Sequence, residues 1–167
     1  MEKCNWTKKS IRIVAAILTI IWMAVIYSFS AEDAEESGDA SRTVSYQIVV
    51  SADNFLGLNW DDEHVLAVAT AIEGGVRKVA HMIEYGILAI LFGISIDIWS
   101  VDSKRMWIRL VGDLIVCVVY AATDEYHQTF VVGRNGSVGD VGVDAVGSLL
   151  VLVLITLIVS ARRKRLE

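Results

Sequence analysis

The sequence predicts an all-α, polytopic membrane protein, and two observations carry this prediction. Of the 167 residues, 54% are hydrophobic, and the mean hydropathy of +0.53 is far more apolar than a soluble domain of ordinary composition requires. Four segments also approach the about 17 to 25 residues that a helix needs to cross the hydrocarbon core of a bilayer. We therefore expect one membrane domain, residues 1–167, with four transmembrane helices.

The four predicted spans differ in how cleanly apolar they are. They cover residues 11–30, 79–99, 106–123 and 138–161. The first has no charge after Arg12, whereas each of the others contains ionisable residues. The first span also resembles a secretory signal, since Ser28–Ala31 has the small residues of a cleavage site. Its removal would leave the orientation of the other three spans unchanged.

Basic residues predict the direction of the spans, because cytoplasmic flanks are enriched in Lys and Arg. With the N-terminus inside, eleven basic residues are cytoplasmic: Lys3, Lys8, Lys9, Arg12, Lys104, Arg105, Arg109, Arg162, Arg163, Lys164 and Arg165. Four are outside: Arg42, Arg77, Lys78 and Arg134. Both termini are therefore predicted to be cytoplasmic, and the basic tail is interpreted as an anchor at the lipid headgroups.

A long outer loop, residues 31–76, separates the first two spans. It opens with an acidic, serine-bearing run that we interpret as a solvated connection. Apolar residues then recur at helical spacing in two sets: Val44, Ile48, Ala52 and Phe55, and Val65, Val68, Ile72 and Val76. This pattern predicts one or two amphipathic helices at the outer membrane interface, which either cap the bundle or act as a lid over a site.

Polar residues concentrate at the outer ends of three spans. Charge inside a span costs roughly 2.5 to 3.5 kcal/mol unless it faces protein or water, so the spacing of such residues is informative. The second span places Arg77, His81, Glu84 and Tyr85 on one helix face. The third similarly aligns Asp113, Cys117, Tyr120, Asp124 and His127, and the fourth aligns Asp140, Asp144 and Gly147, with Gly136, Gly139 and Gly142 nearby for close backbone approach.

These stripes predict one polar outer pocket that binds a ligand. Its predicted residues are Arg77, His81, Glu84, Tyr85, Asp124, Glu125, His127, Gln128, Arg134, Asp140 and Asp144. The acids outnumber the two arginines, which indicates that protons or a positive group complete the site. A purely structural network of hydrogen bonds between the helices is the simplest alternative.

Three chemical interpretations use the same residues. A metal site would draw on His81, His127, Asp140 and Asp144. A hydrolase or transferase would use Glu84, Asp124 or Glu125 as a base through His127, with Arg77 and Arg134 gripping a phosphate. A binding protein would hold an envelope lipid or glycan precursor without turnover. Transport is less favoured, because the polar residues gather at one end of the spans and not at the midplane.

Other functions are disfavoured by composition. The net charge of -5 comes without a basic stripe interleaved with aromatic residues, so a nucleic-acid partner is not expected. The two cysteines, Cys4 and Cys117, offer neither a disulfide framework nor a paired-cysteine metal site. No cofactor is indicated by any motif.

Two stretches resemble the VanZ-like family of integral membrane proteins. They are RKVAHMIEYGIL, residues 77–88, and YAATDEYHQTFVVGRNGSVGDVGVDAVG, residues 120–147. The resemblance extends to the first span and the SFSAE turn that follows it. It implies a small multi-pass protein of the bacterial inner membrane, linked to the cell envelope and to glycopeptide (teicoplanin) resistance, without supplying a reaction. Val132 stands where the family commonly has proline, so Gly133 is expected to form the tight bend before Arg134.

The predicted topology is testable by cysteine labelling. In a background without Cys4 and Cys117, Ala40→Cys should react with an impermeant maleimide from outside. Arg165→Cys should react only after permeabilisation, because the positive-inside bias places it in the cytoplasm. The reverse pattern of labelling would contradict this topology.

Overall fold

A computed structural model describes residues 2–98 and 103–165, which form five α-helices. These are α1 (Glu2–Ser30), α2 (Ala34–Leu56), α3 (Asp62–Ser95), α4 (Ser103–Gln128) and α5 (Val138–Lys164). Four helices contain segments long and apolar enough to cross a membrane: Trp6–Ser30, Asp62–Ser95, Arg105–Gln128 and Val138–Arg162. The all-helical class is confirmed, and so are four segments long and apolar enough to span a membrane. The predicted end of the second span at Trp99 lies outside the described residues.

The outer loop is shorter than predicted, because α3 begins within it. The apolar set from Val65 to Val76 does not form a separate helix but is the first half of α3. Nothing in the sequence interrupts it, since even Gly74 and Gly75 remain helical. With 34 residues, α3 is about 50 Å long, well beyond the about 30 Å of a hydrocarbon core.

Helix α2 and the start of α3 form a helical hairpin, with the intervening turn at residues 57–61. Gly57 ends α2 in a left-handed conformation (φ 64°), which glycine adopts without strain. Asp61 caps α3 by accepting a hydrogen bond from the His64 amide. A small apolar core forms where Val49 packs with Val65 and Ala69.

The apolar stripe predicted on α2 faces away from the hairpin core. Val44, Ile48 and Phe55 are exposed, and Phe55 is 88% accessible. The buried face of α2 is instead Gly38, Ser45 and Val49. An exposed apolar stripe is what a helix at a membrane interface requires, and that placement remains a prediction.

The centre of the bundle is the contact between α3 and α5. A Cβ atom at Gly147 would lie 2.3 Å from the carbonyl oxygen of Met82, and one at Gly86 would lie 2.9 Å from Val151 Cγ2. The Ser148 hydroxyl donates to the carbonyl of Tyr85 at 3.2 Å. Small residues thus bring the two backbones together, as is usual between membrane helices.

The other glycines expected to permit close approach behave differently. A Cβ at Gly136 would lie 2.2 Å from the carbonyl oxygen of Glu125, which agrees with the expectation. One at Gly139 would contact only the Ser137 hydroxyl, at 3.2 Å, and one at Gly142 would meet nothing within 4 Å. The expectation for Gly142 was therefore wrong, because Gly142 is exposed and no other part of the described chain packs against it.

The two ends of the bundle have distinct polar contacts. At one end, Arg12 donates to the carbonyl of Ser95 at 3.2 Å, and Arg109 donates to the carbonyls of Ile96 and Asp97 at 2.7 and 2.8 Å. At the other end, Arg134 reaches the end of α1 and the start of α2. The C-terminal part of α5 lies near the Arg109 end of α4, since Leu157 and Ser160 line a cavity together with Met106 and Leu110.

The α3–α5 contact predicts a difference between two glycines of one helix. Gly147→Ala should lower the thermal unfolding midpoint of the purified protein in detergent, at a cost of about 1–3 kcal/mol for overpacking against a backbone oxygen. Gly142→Ala is the matched control and should be neutral or stabilising, since its Cβ meets open space. Equal effects of the two changes would show that this contact is not tightly packed.

Candidate functional site

A cavity of about 240 Å³ lies at the end of the bundle that the sequence predicts to face outward, and we call it the outer pocket. Helix α3 supplies one wall with Arg77, His81 and Glu84, which face the same way because they lie on successive turns. Asp124 of α4 and Arg134 of the α4–α5 loop complete this side. Five of the predicted site residues therefore share one cavity.

The opposite wall contains residues that the sequence interpretation missed. Ser30 is the last residue of α1, Glu32 lies in the turn after it, and Ser37 and Ser41 come from α2. The acidic run that contains Glu32, Ser37 and Ser41 had been interpreted as a solvated connection. The four-residue spacing of Ser37 and Ser41, which puts both on one helix face, was the available signal.

Arg77 is held in place by α2 and by an acid on its own helix. Its Nη2 donates to the Ser41 hydroxyl at 3.2 Å and lies 3.6 Å from Glu73 Oε1. The Ser41 hydroxyl in turn lies 3.1 Å from Glu73 Oε1. Glu73, which was not predicted, also lies 3.8 Å from Arg42, so it partly neutralises both arginines.

Arg134 reaches the outer pocket through the turn that precedes it. Gly133 adopts φ 74°, which confirms the expected tight bend, and the carbonyl of Val132 accepts from the Ala34 amide at 3.2 Å. The Arg134 guanidinium then donates to the Ser37 hydroxyl and, more weakly, to the carbonyl of Ser30 at 3.4 Å.

The charge on Arg134 persists despite its surroundings. Burial lowers the pKa of Arg134, and the nearby Arg77 lowers this pKa further, whereas Glu32 and Asp124 act in the opposite direction. An arginine starts from so high a pKa that it stays protonated. Two cations therefore face the same cavity.

Acids with few partners lie in the wall of the outer pocket, which Glu84 and Asp124 line, and behind that wall, where Asp144 is buried. His81 Nδ1 lies 3.7 Å from Glu84 Oε2 and 3.9 Å from Asp144 Oδ1, which are ion-pair distances too long for hydrogen bonds. Asp144 is 1% exposed and Asp124 is 4% exposed. The Tyr85 hydroxyl, which was also predicted to belong to the site, is buried beside them.

Several of these buried atoms lack hydrogen-bond partners within the described part of the chain. They are both carboxylate oxygens of Asp144, Asp124 Oδ1, His81 Nδ1 and the Tyr85 hydroxyl. Leaving a buried polar atom unpaired costs roughly 1–3 kcal/mol. The arrangement is therefore suited to receive protons or a ligand that donates hydrogen bonds.

The remaining predicted residues lie behind the outer pocket and make structural contacts. Glu125 Oε2 accepts from the Ser137 amide at 2.7 Å, next to the start of α5. Gln128 donates to Asp124 Oδ2 at 3.4 Å. His127 Nε2 lies 3.2 Å from the Tyr27 hydroxyl, with the two rings 4.5 Å apart. Asp140 is half-buried in the first turn of α5.

The metal interpretation gains no geometric support. Among residues 2–98 and 103–165, no group of three or more His, Cys, Asp or Glu side chains is arranged to hold a metal ion. The two histidines of the metal interpretation make separate contacts. His81 lies beside Glu84, and His127 lies beside Tyr27.

Comparison with known proteins identifies the family. The family model described as VanZ/LLP1 matches residues 15–159, which is most of the chain. No curated protein and no solved structure matches the sequence significantly. The chain therefore belongs to the VanZ/LLP1 family of membrane proteins.

Proposed function

We propose that this multi-pass membrane protein binds an envelope lipid or a lipid-linked glycan precursor in the outer pocket. The observation that carries the proposal is Asp124, which lines the cavity, is 4% exposed and has an oxygen without a hydrogen-bond partner in the described chain. Arg77 and Arg134 line the same cavity with opposite charge. Guanidinium groups suit phosphate, and carboxylates accept from hydroxyl or amino groups.

The proposal includes a location and an orientation. The basic residues favour the bacterial inner membrane with both termini in the cytoplasm. The outer pocket then faces the cell envelope, at the opposite end of the bundle from Arg12 and Arg109. A protein that binds a precursor on that side would alter access of a glycopeptide to it, and this is the proposed link to teicoplanin resistance.

Catalysis is the alternative use of the same pocket. A hydrolase or transferase acting on a phosphorylated headgroup needs a proton carrier beside the ligand, and His81 with Glu84 occupies such a position. The sequence predicted His127 in this role, but the His127 ring lies against Tyr27. Binding is favoured because the wall hydroxyls Ser37 and Ser41 are engaged by the two arginines and are not activated nucleophiles.

Binding should depend on the charges that line the cavity. Asp124→Asn and Arg134→Gln should each weaken binding of a co-purified or added envelope lipid by tenfold or more, about 1.4 kcal/mol, because each removes a charged contact. Native mass spectrometry of the detergent-purified protein measures bound lipid directly. In cells, the same variants should lose any teicoplanin phenotype that the wild-type protein confers.

Glu36→Gln is the matched control, since Glu36 is exposed and does not line the outer pocket. Asp33 is less suitable, because its carboxylate caps α2 by accepting from the amides of Glu35 and Glu36 at 2.9 Å. Equal loss of binding in Glu36→Gln would show that general charge at the outer face, and not the pocket, holds the lipid.

The catalytic alternative has a separate test. Labelled envelope lipids incubated with the purified protein should be recovered unchanged, and His81→Gln and His127→Gln should alter only affinity. Chemical conversion of a lipid that is lost in either variant, with affinity retained, would identify an enzyme in place of a binding protein.

A further inference from the structure

We infer that the ligand of the outer pocket is a zwitterionic phospholipid headgroup, in which a phosphate diester is joined to a primary amine. The phosphate lies at the rim, between Arg77 and Arg134, and the ammonium lies in the acidic interior, at Glu84 and Asp124. This inference rests on the proposed function and specifies its ligand.

The rim requires an anion. Arg77 and Arg134 come from different elements, yet they line the same cavity and are close enough for their charges to repel. Arg134 donates to the Ser37 hydroxyl and Arg77 donates to the Ser41 hydroxyl. The buried Nε of Arg77 has no partner in the described chain. A phosphate between the two groups removes the repulsion and accepts the remaining donors.

The interior requires a cation with several donors. Within the described residues, the one basic side chain at ion-pair distance from Glu84 or Asp144 is His81, and it is shared between them. Arg77 is instead paired with Glu73. Asp124 contributes a further oxygen without a partner. A primary ammonium has three N–H donors, which matches this set of acceptors.

The size of the outer pocket separates a headgroup from a glycan. Its volume of about 240 Å³ lies below the roughly 300–1,000 Å³ of pockets that enclose drug-sized ligands. It accommodates a compact headgroup, whereas a lipid-linked oligosaccharide would project beyond it. Of the two ligands in the proposed function, the volume of the outer pocket therefore favours the phospholipid.

The wall between α1 and α2 gives the lipid tails a place to lie. Phe29 of α1 and Val44 of α2 both line the outer pocket, and they are 48% and 46% exposed. Each of these helices packs mainly on α3 and not on the other. An apolar opening at the side of the bundle fits a molecule whose chains remain in the bilayer.

Lipid selectivity tests this inference. The purified protein in detergent is titrated with short-chain phosphatidylethanolamine, phosphatidylcholine and phosphatidylglycerol, and bound lipid is counted by native mass spectrometry. Phosphatidylethanolamine should bind at least about tenfold more tightly than the other two. Phosphatidylcholine keeps the positive charge but has no N–H donor, and phosphatidylglycerol lacks the cation.

Two groups of variants should separate the rim from the interior. Glu84→Gln, and independently Asp124→Asn, should bring the affinities for phosphatidylethanolamine and phosphatidylglycerol to within about threefold of each other, because the ammonium loses its counter-charge. Arg134→Gln should weaken both lipids together and preserve their ratio. Glu36→Gln is the control and should leave both affinities unchanged, while circular dichroism verifies that each variant is folded.

The outcomes distinguish this inference from the proposed function. Phosphatidylglycerol binding as tightly as phosphatidylethanolamine would overturn the zwitterionic headgroup and leave the proposed function standing. Binding of a lipid-linked glycan precursor, with no binding of the phospholipids, would likewise overturn the zwitterionic headgroup and leave the proposed function standing. Failure of the wild-type protein to bind any of the phospholipids or such a precursor would overturn both.

Discussion

The contact between α3 and α5 is the constraint on which the rest of the structure depends. Gly147 leaves no room for a Cβ beside the Met82 carbonyl, and Ser148 reaches across to the Tyr85 carbonyl. This close approach places Asp144, one turn from Gly147, beside His81 of α3. Helices separated by larger side chains would leave a buried aspartate without even this distant polar neighbour, which is costly in a membrane.

Opposite charges are segregated within the outer pocket and do not neutralise each other. Arg77 contacts Ser41 and Glu73, and Arg134 contacts the start of α2 and the end of α1. The deeper acids are thereby denied the arginines that would otherwise pair with them. If these residues served only to hold the helices together, direct pairing of the acids with the arginines would be more stable. The separation of the two charges therefore favours a ligand-binding role.

Helix α2 forms part of the wall of the site. Its serines position the two arginines, although the connection that contains them reads as a solvated acidic loop. In the apolar stripe, Ile48 and Phe55 are exposed and do not line the pocket, whereas Val44 is exposed and borders it. Helix α2 thus presents hydroxyls to the pocket and most of its apolar stripe elsewhere, and hydrophobic periodicity predicts only the apolar stripe.

The sequence by itself determined the helical class, the four apolar segments and the alignment of Arg77, His81 and Glu84, because hydropathy and helical spacing are local properties. Only the tertiary structure decided that Asp124 and Arg134 join them, while Glu125, Gln128 and His127 make contacts behind the cavity. It also decided the continuity of α3 and the roles of Ser37, Ser41 and Glu73. Those outcomes depend on how helices that are distant in sequence pack against one another. Gly86 and Gly147 set the distance between α3 and α5, and no single segment encodes that packing.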